Sequence, residues 1–211
     1  VTFRLLVALV VFGHLAHRAY YFRKVRHAAE TVVRRPRDPA ARPFLVGVLP
    51  AYVLTALYLA QPAWLAWASF PLPLWLRWTG LAPALAGFAL LEWSQSALGR
   101  SWSIQPQLLE DQRMVVAGPY GWVRHPMYAG VLLAHASLFL LSANWVVGAL
   151  WTGTSAWQFV ARMPLEEALM VDRFGEAYRA YMGTTGRLFP RIRHPRERSR
   201  SAARRPSGET P

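Results

Sequence analysis

The stretch RHPMYAGVLLAHASLFLLSANWVVGALWTGTSAWQFVAR, residues 124–162, decides the fold. Arginines close both ends, and the 37 residues between them are neutral unless His125 or His135 protonates. One crossing of the hydrocarbon core needs about 20 apolar residues. The block is too long for a core helix of a small soluble domain, and it is long enough to enter a membrane and return. Ser142-Ala143-Asn144 marks the turn. Ala129 to Leu141 then reads as one arm of a tight helical hairpin and Trp145 to Val160 as the other. Ala149 and Gly153 form a small-xxx-small pair, a spacing that permits close helix contact.

Upstream, 34 uncharged residues separate Arg42 from Arg77. Three further spans are expected: Leu5 to Phe22, Phe44 to Ala60 after a break at Pro43, and Leu81 to Leu98. The chain is therefore expected to be an all-α integral membrane protein of about five transmembrane helices. Five spans place the two ends on opposite sides, and basic residues choose the side. Arg23 to Arg42 holds seven Lys or Arg, Gly99 to Arg124 holds three, and Arg162 onward holds eleven. All three segments fall on one side in the five-span reading. The expected placement is the cytoplasmic membrane, with the N-terminus outside and the C-terminus inside. Trp64, Trp67, Trp75 and Trp78 bracket an outer loop, as interfacial aromatics do.

The 211 residues carry a net charge of +13, are 54% hydrophobic and only 17% charged. Soluble domains carry about 25% charged residues. The charge alone would suggest nucleic acid, but its confinement to membrane-flanking segments excludes a soluble nucleic-acid binder and an ordinary cytosolic enzyme. There is no cysteine, which removes disulfides, thiolate metal sites and a Cys nucleophile. The histidines have no ligand spacing, so no metal is expected. Twenty-three arginines against the single Lys24 point to a GC-rich bacterial source. The apolar N-terminus has no small-residue cleavage site after it and reads as a retained span. Three parts follow: 1–98, N-terminal helices; 99–192, a core of loop, hairpin and C-terminal helix; and 193–211, a basic, disordered tail against anionic headgroups. Glu92, the one acid inside a span, is expected to pair with Arg18.

Polar residues concentrate in two cytoplasmic segments, Leu98 to Tyr128 and Arg162 to Tyr181. Gly118-Pro119 is a turn signal. Pro126 biases His125 away from helix and suits the first position of the next helix. Arg124, His125 and the free amides of that helix start form a place for a polar or anionic ligand, or simply an interfacial anchor and a cap. Pro164 reads as a helix start, with Glu166 and Glu167 in its first turn complementing the dipole. Glu167, Met170, Phe174, Tyr178 and Tyr181 recur at helical spacing and predict an amphipathic cytosolic helix. Adjacent carboxylates near a bilayer become favourable when a cationic ligand neutralises them.

Leu98-Gly-Arg-Ser-Trp102, Gly118-Pro-Tyr-x-x-Val-Arg-His-Pro-Met-Tyr128-x-Gly130, Glu166-Glu167-Ala-Leu169 and Phe174-Gly-x-x-Tyr178-x-x-Tyr181 together closely resemble the isoprenylcysteine carboxyl methyltransferase family. That family sits in a wider group of membrane methyltransferases that includes phospholipid N-methyltransferases. The resemblance runs from about Leu98 to Ile192; the N-terminal spans match only in character. It implies a membrane enzyme binding S-adenosylmethionine at the cytosolic face. By resemblance, Gly118, Tyr120, His125, Pro126, Tyr128, Glu166, Glu167 and Tyr178 make the cofactor pocket. Arg124 and Glu167 act in catalysis, and Trp102, Arg124 and Arg162 meet the substrate. Family members often carry an Arg two residues before the Glu pair; here Pro164 holds that place and Arg162 lies four residues before the pair.

The expected activity is methyl transfer from S-adenosylmethionine to a lipophilic acceptor, an isoprenylcysteine-like or other carboxylate, a thiol or a lipid amine. The expected partners are membrane lipids and that acceptor, and no nucleic acid. A carboxylate needs no base; a thiol or amine does, and Glu167, His125 and Tyr178 are the candidates. The competing reading is a non-catalytic membrane protein or accessory subunit that keeps the scaffold. A transporter relaying charge through His14, Arg18 and Glu92 lacks the paired broken helices such proteins use.

Overall fold

The computed structural model describes residues 1–25, 32–103 and 105–191. The expected tail 193–211 lies outside them. Seven α-helices are seen among the described residues: α1 (Thr2–Val25), α2 (Ala41–Ala60), α3 (Leu74–Thr79), α4 (Leu81–Leu98), α5 (Pro126–Ser142), α6 (Trp145–Phe174) and α7 (Glu176–Thr184). α1, α2 and the α3–α4 stretch are each long and apolar enough to cross a membrane; α5 is apolar but shorter. Their outer faces leave Leu9, Val46, Leu49, Val53 and Leu85 more than half exposed. An aqueous protein would not spread so many large apolar side chains over its surface, whereas lipid accepts them.

The helices pack through one apolar core. Val7 and Val11 of α1, Ala51 and Tyr58 of α2, Ala84 of α4, Leu138 and Leu141 of α5, and Val147 and Trp151 of α6 meet there. A second cluster, Leu91, Tyr128, Val131, Phe159 and Met163, joins α4, α5 and α6 directly below the polar segments. α5 is central, packing against α1, α3, α4 and α6.

The hairpin turn is as read. Ala143 takes a left-handed conformation (φ 50°) and the Asn144 side chain accepts the Val147 amide, capping α6. The small-residue contact is elsewhere. Nothing lies within 4 Å of a Cβ added at Gly153, so that residue mediates no close contact. Two glycines meet where α4 packs on α5: a Cβ on Gly87 would come 2.6 Å from the Gly130 carbonyl and one on Gly130 would come 2.8 Å from the Gly87 carbonyl. Gly87→Ala should therefore push α4 from α5 and cost about 1–3 kcal/mol of stability; thermal unfolding in detergent reads it, and an unchanged midpoint would remove this contact from the account.

Other expectations need correction. α2 begins at Ala41 rather than after Pro43, because a proline in the first turn gives up an amide that has no helical partner there anyway. Pro164 does not start a helix: α6 runs through it to Phe174, so Glu166 and Glu167 lie mid-helix, two turns before its end. The break comes at Gly175 (φ 56°), which turns the chain into the separate α7. Glu92 pairs with His17 Nε2 (3.0 Å) and accepts from Tyr21 Oη (2.7 Å), not from Arg18. His14 bonds His135 (2.9 Å), which bonds Ser155 (2.8 Å), so His14 and Glu92 belong to separate networks. A small antiparallel sheet, β1 (Val32–Arg34) with β2 (Leu108–Leu109), qualifies the all-α expectation. Runs of two or three residues carry no periodicity by which to see them. The sheet ties the segment after α1 to the 99–117 loop, beside the far end of α6 (Arg34–Asp172, 2.5 Å).

Candidate active site

The segment Val123-Arg124-His125 is fastened before α5 begins. Val123 bridges Gly186 in parallel, Arg124 N donates to the Gly186 carbonyl (2.8 Å) and His125 N to the Arg187 carbonyl (3.0 Å). Pro126 then opens α5 with His125 in a non-helical conformation (φ −123°, ψ 58°). α6 brings Glu166 and Glu167 across from this helix start. α7 adds Tyr178 and Tyr181, the latter donating to the Tyr120 carbonyl (2.6 Å). Residues far apart in sequence thus converge.

The two glutamates have different surroundings. Glu167 is 3% exposed and has three partners, two arginines and a histidine. Arg124 donates from Nε (2.9 Å), Arg187 donates to both oxygens (2.6–3.1 Å), and His125 Nε2 lies at 3.3 Å. Burial raises its carboxyl, but the His125, Arg187 and Arg124 hydrogen bonds outweigh burial and hold it down at about 2. Arg124 is spent on the same cluster; its Nη1 also donates to the Met182 carbonyl (3.1 Å) and to that of Thr185. Glu166 has one hydrogen bond, from the Tyr128 hydroxyl, and His125 Nδ1 at 3.6 Å. Burial pushes the Glu166 carboxyl up. The rings of His125 and Tyr128 stack at 5.5 Å, and Tyr128 stacks on Phe159 at 4.0 Å.

Two cavities meet here. One of about 140 Å³ lies under the 99–117 loop and is walled by Trp102, Tyr120, Arg124, His125, Tyr128, Glu166, Tyr178 and Tyr181 among others. The other, about 250 Å³, descends between α1, α2, α4, α5 and α6, with Arg18, Tyr52, Gln95, Trp151, Gln158 and Arg162 in its wall. Trp102, Ser103, Met127, Tyr128 and Glu166 line both and form their common wall. The Trp102 indole donates to Met127 Sδ (3.2 Å), which braces that wall. Burial raises the phenols of Tyr120 and Tyr178 and pushes Tyr181 up to about 12, so all three keep their protons, Tyr181 donating its own to the Tyr120 carbonyl.

Trp102, Tyr120, Arg124, His125, Tyr128, Glu166 and Tyr178 are therefore brought together at one cavity. Arg162 lines the other, held by Asp38, to whose Oδ2 its Nε donates at 2.8 Å. Glu167, Gly118 and Pro126 line neither: Glu167 turns into the arginine cluster, Gly118 sits beside Trp93, and Pro126 is buried at the α5 start. The expected ligand contact of Glu167 competes with protein partners, since Arg124 and Arg187 already donate to its oxygens. Sequence reading missed Arg187 and Asp38. Arg187 was one basic residue among eleven in its segment; Asp38 stands among four arginines, where its acidity was the one available signal. No group of three metal-ligating side chains is found among the described residues.

Comparison with known proteins finds similar sequences and one similar fold. Residues 78–172 match the model of the isoprenylcysteine carboxyl methyltransferase (ICMT) family. The protein-S-isoprenylcysteine O-methyltransferase of Mus musculus is 26% identical over 161 residues, 72% of this chain and 55% of that protein. Its counterpart in Dictyostelium discoideum is 24% identical over 153 residues, 69% of this chain and 63% of that one. The methanethiol S-methyltransferase of Pseudomonas deceptionensis is 39% identical over 74 residues, 35% of this chain and 27% of that protein. The chain thus spans little more than half the length of most of these relatives. The solved structure of a eukaryotic intramembrane Ras methyltransferase, an isoprenylcysteine carboxyl methyltransferase, superposes with a TM-score of 0.55 at 23% identity. It covers 72% of this chain and 53% of that one, and so shares the fold.

Proposed function

We propose that this chain, which resembles the isoprenylcysteine carboxyl methyltransferases in sequence and fold, transfers a methyl group from S-adenosylmethionine to a lipophilic acceptor at the cytosolic face of a membrane. The observation that carries the reading is the common wall: a loop-side cavity and an intramembrane cavity meet at Tyr128 and Glu166. A water-soluble donor and a lipid-soluble acceptor need two such entrances and one meeting point. In this reading the chain crosses the membrane five times with its N-terminus outside and its C-terminus inside, as the distribution of basic residues predicts, and the loop-side cavity then faces the cytoplasm, where the donor is.

The donor set of the loop-side cavity suits S-adenosylmethionine. Glu166 faces it as an acceptor with a single protein donor, so an ammonium or a ribose hydroxyl completes its hydrogen bonds. His125, Tyr120, Tyr128 and Tyr178 supply the aromatic and donor walls. Bound there, S-adenosylmethionine supplies an activated methyl group, which asks for alignment more than for acid or base. Tyr128 orients Glu166, and the stack from His125 through Tyr128 to Phe159 holds Tyr128 in turn. Leu169 adds an apolar side chain to the loop-side cavity, and Met163 packs in the cluster behind Tyr128. Positioning of this kind is worth up to about 7–11 kcal/mol of a barrier. Arg124, Glu167 and Arg187 act as positioning residues, fastening the helix start to the chain beyond α7. For an acceptor that must lose a proton, His125 and Tyr178 line the cavity as the remaining candidate bases, because Glu167 is held at about 2 and bonded to its arginines.

The test is binding of S-adenosylmethionine to the purified protein, followed by transfer of labelled methyl to membrane extract. Protein that folds but binds none is the non-catalytic alternative. The site adds a sign. Burial holds Glu166 protonated to a higher pH than an ordinary carboxyl; a cation beside it favours the carboxylate. Cofactor binding should therefore release a proton at pH above the usual carboxyl value of about 4.3 and tighten as pH rises toward the raised Glu166 value. Calorimetry in two buffers of different ionisation heat reads the proton. Binding without proton release across the window would remove Glu166 from the contact.

A further inference from the structure

Phe189 stands at the tip of a tight turn beside the candidate active site. The chain doubles back after Gly186, which lies so close to the Phe189 carbonyl that no side chain would fit there. Leu188 packs on the cluster that holds Tyr128 and Phe159, whereas Phe189 is 81% exposed. Trp122 is 61% exposed, and Trp93 and Val116 are exposed as well. Trp122 meets Trp93 edge to face at 5.1 Å. With Val116, Thr184, Pro190 and Arg191 it also lines an open groove of about 770 Å³. One exposed apolar residue is ordinary, but a group of them rimmed by polar residues marks a contact surface.

Depth and charge say what covers this surface. Trp93 stands five residues before the end of α4, about 7.5 Å along the axis. In a helix that crosses the bilayer this is the level where hydrocarbon gives way to headgroups, which tryptophan favours. The ring contact brings Trp122 to the same level, and the bridge of Val123 to Gly186 sets the turn beside it. Arg191 is exposed and donates to the Gly183 carbonyl. From Arg191 to Pro211 the sequence carries seven arginines against two glutamates. Apolar tips with cations behind them match the order of an anionic leaflet, hydrocarbon first and phosphate next. An acidic soluble protein would answer the charge but not the depth.

We propose that Phe189, Trp122 and Arg191 dock the chain on an anionic phospholipid leaflet, and that this docking tightens the candidate active site. The turn supplies the Gly186 and Arg187 carbonyls that receive the Arg124 and His125 amides, and Arg187 bonds Glu167. Holding the turn against headgroups therefore holds the start of α5. The docking stands on this surface alone; its effect on S-adenosylmethionine rests on the methyl-transfer reading.

The chain has no cysteine, so Phe189→Cys takes a single nitroxide label. The full chain is placed in nanodiscs of phosphatidylcholine, or of equal parts phosphatidylcholine and phosphatidylglycerol. Relaxation of the label by oxygen and by a water-soluble nickel chelate reads its depth. The label should be open to oxygen and shielded from the chelate, more so with phosphatidylglycerol. A label on Glu176→Cys should stay open to the chelate, since the Glu176 side chain is 87% exposed. The unlabelled wild-type protein should bind S-adenosylmethionine at least about threefold tighter with phosphatidylglycerol, within the roughly fivefold that one arginine at an anionic surface is worth. Arg191→Gln and Phe189→Ser should each lose most of that gain and match wild type in phosphatidylcholine alone. A label at 189 as open to the chelate as one at 176 overturns the docking. So does mutual broadening of labels at 189, which would put a second copy on the surface. Cofactor affinity indifferent to phosphatidylglycerol overturns the tightening, and so does a gain that survives in both variants, which would be the leaflet's field acting on a cationic cofactor. The wild-type comparison of the two lipids stands even if a variant fails to fold. Failure to bind S-adenosylmethionine in either nanodisc strikes the methyl-transfer reading, while the depth of the label still decides the docking.

Discussion

Glu167→Ala should destabilise the protein by about 3–5 kcal/mol, because it removes the shared anion from a buried cluster and leaves charges without a partner. The Arg124 side chain is 8% exposed and Glu167's is 4% exposed, so solvent cannot replace the lost carboxylate around Arg124. The same guanidinium ties Met182 and Thr185, and Arg187 lies in the strand-like segment that fastens His125. The expected outcome is a lowered unfolding midpoint in detergent together with loss of cofactor binding, not loss of binding alone. The pH dependence has a definite sign. Glu167's carboxyl is depressed to about 2, so its contribution is complete above the unfolded value of about 4.3 and is lost as pH falls from there toward about 2. Glu167→Gln should lack that acid-range loss. A Glu167→Ala protein as stable as wild type but unable to bind S-adenosylmethionine would reverse the assignment and make Glu167 a ligand contact.

Glu166→Ala should do the opposite: keep the fold and weaken S-adenosylmethionine by about 1.5–3 kcal/mol, a loss between about tenfold and about a hundredfold. Glu166 stands outside the arginine cluster, and its one hydrogen bond comes from Tyr128, whose ring stays held by the stack on Phe159. Removing its carboxylate leaves no cation buried alone, so the unfolding midpoint should move little. Calorimetric titration of the variant against wild type measures the loss. Unchanged affinity in a folded Glu166→Ala protein would mean that the cofactor is recognised by the aromatic walls, and the proton release expected on binding should then be absent as well.

Neighbouring glutamates with opposite predicted fates show where sequence reading stops. The pair was legible as a pair, and a cationic partner for it was inferred from the cost of adjacent carboxylates near a bilayer. Which glutamate meets which cation was not legible. Successive residues on a helix point about 100° apart, and the identity of whatever each meets depends on elements from elsewhere in the chain. Arg187, twenty residues on, and Arg124, forty-three residues back, arrive through a turn at Gly175 and a bridge at Val123 that no local pattern marks. Pro164 misled for a related reason. A proline at a helix start and one inside a long helix present the same residue, and packing of α6 against α2 and α5 decided for the second.

From the sequence alone came what depends on composition and on spacing along the chain. That covers the membrane-bound helical class, the Leu81–Leu98 helix to the residue, the hairpin turn at Ala143 and the motifs that carry the family resemblance. These follow from hydrophobic run length, helix-breaking residues and short-range order, which act between near neighbours. Only the tertiary structure decided that Gly87 and Gly130 meet each other while Gly153 meets nothing, that Glu167 bonds Arg124 and Arg187 while Glu166 faces the cavities, and that Glu92 pairs with His17 rather than with Arg18. The physical reason is that burial and pairing are properties of side chains brought together from distant positions, and a charge has no assigned role until the three-dimensional packing supplies its neighbours.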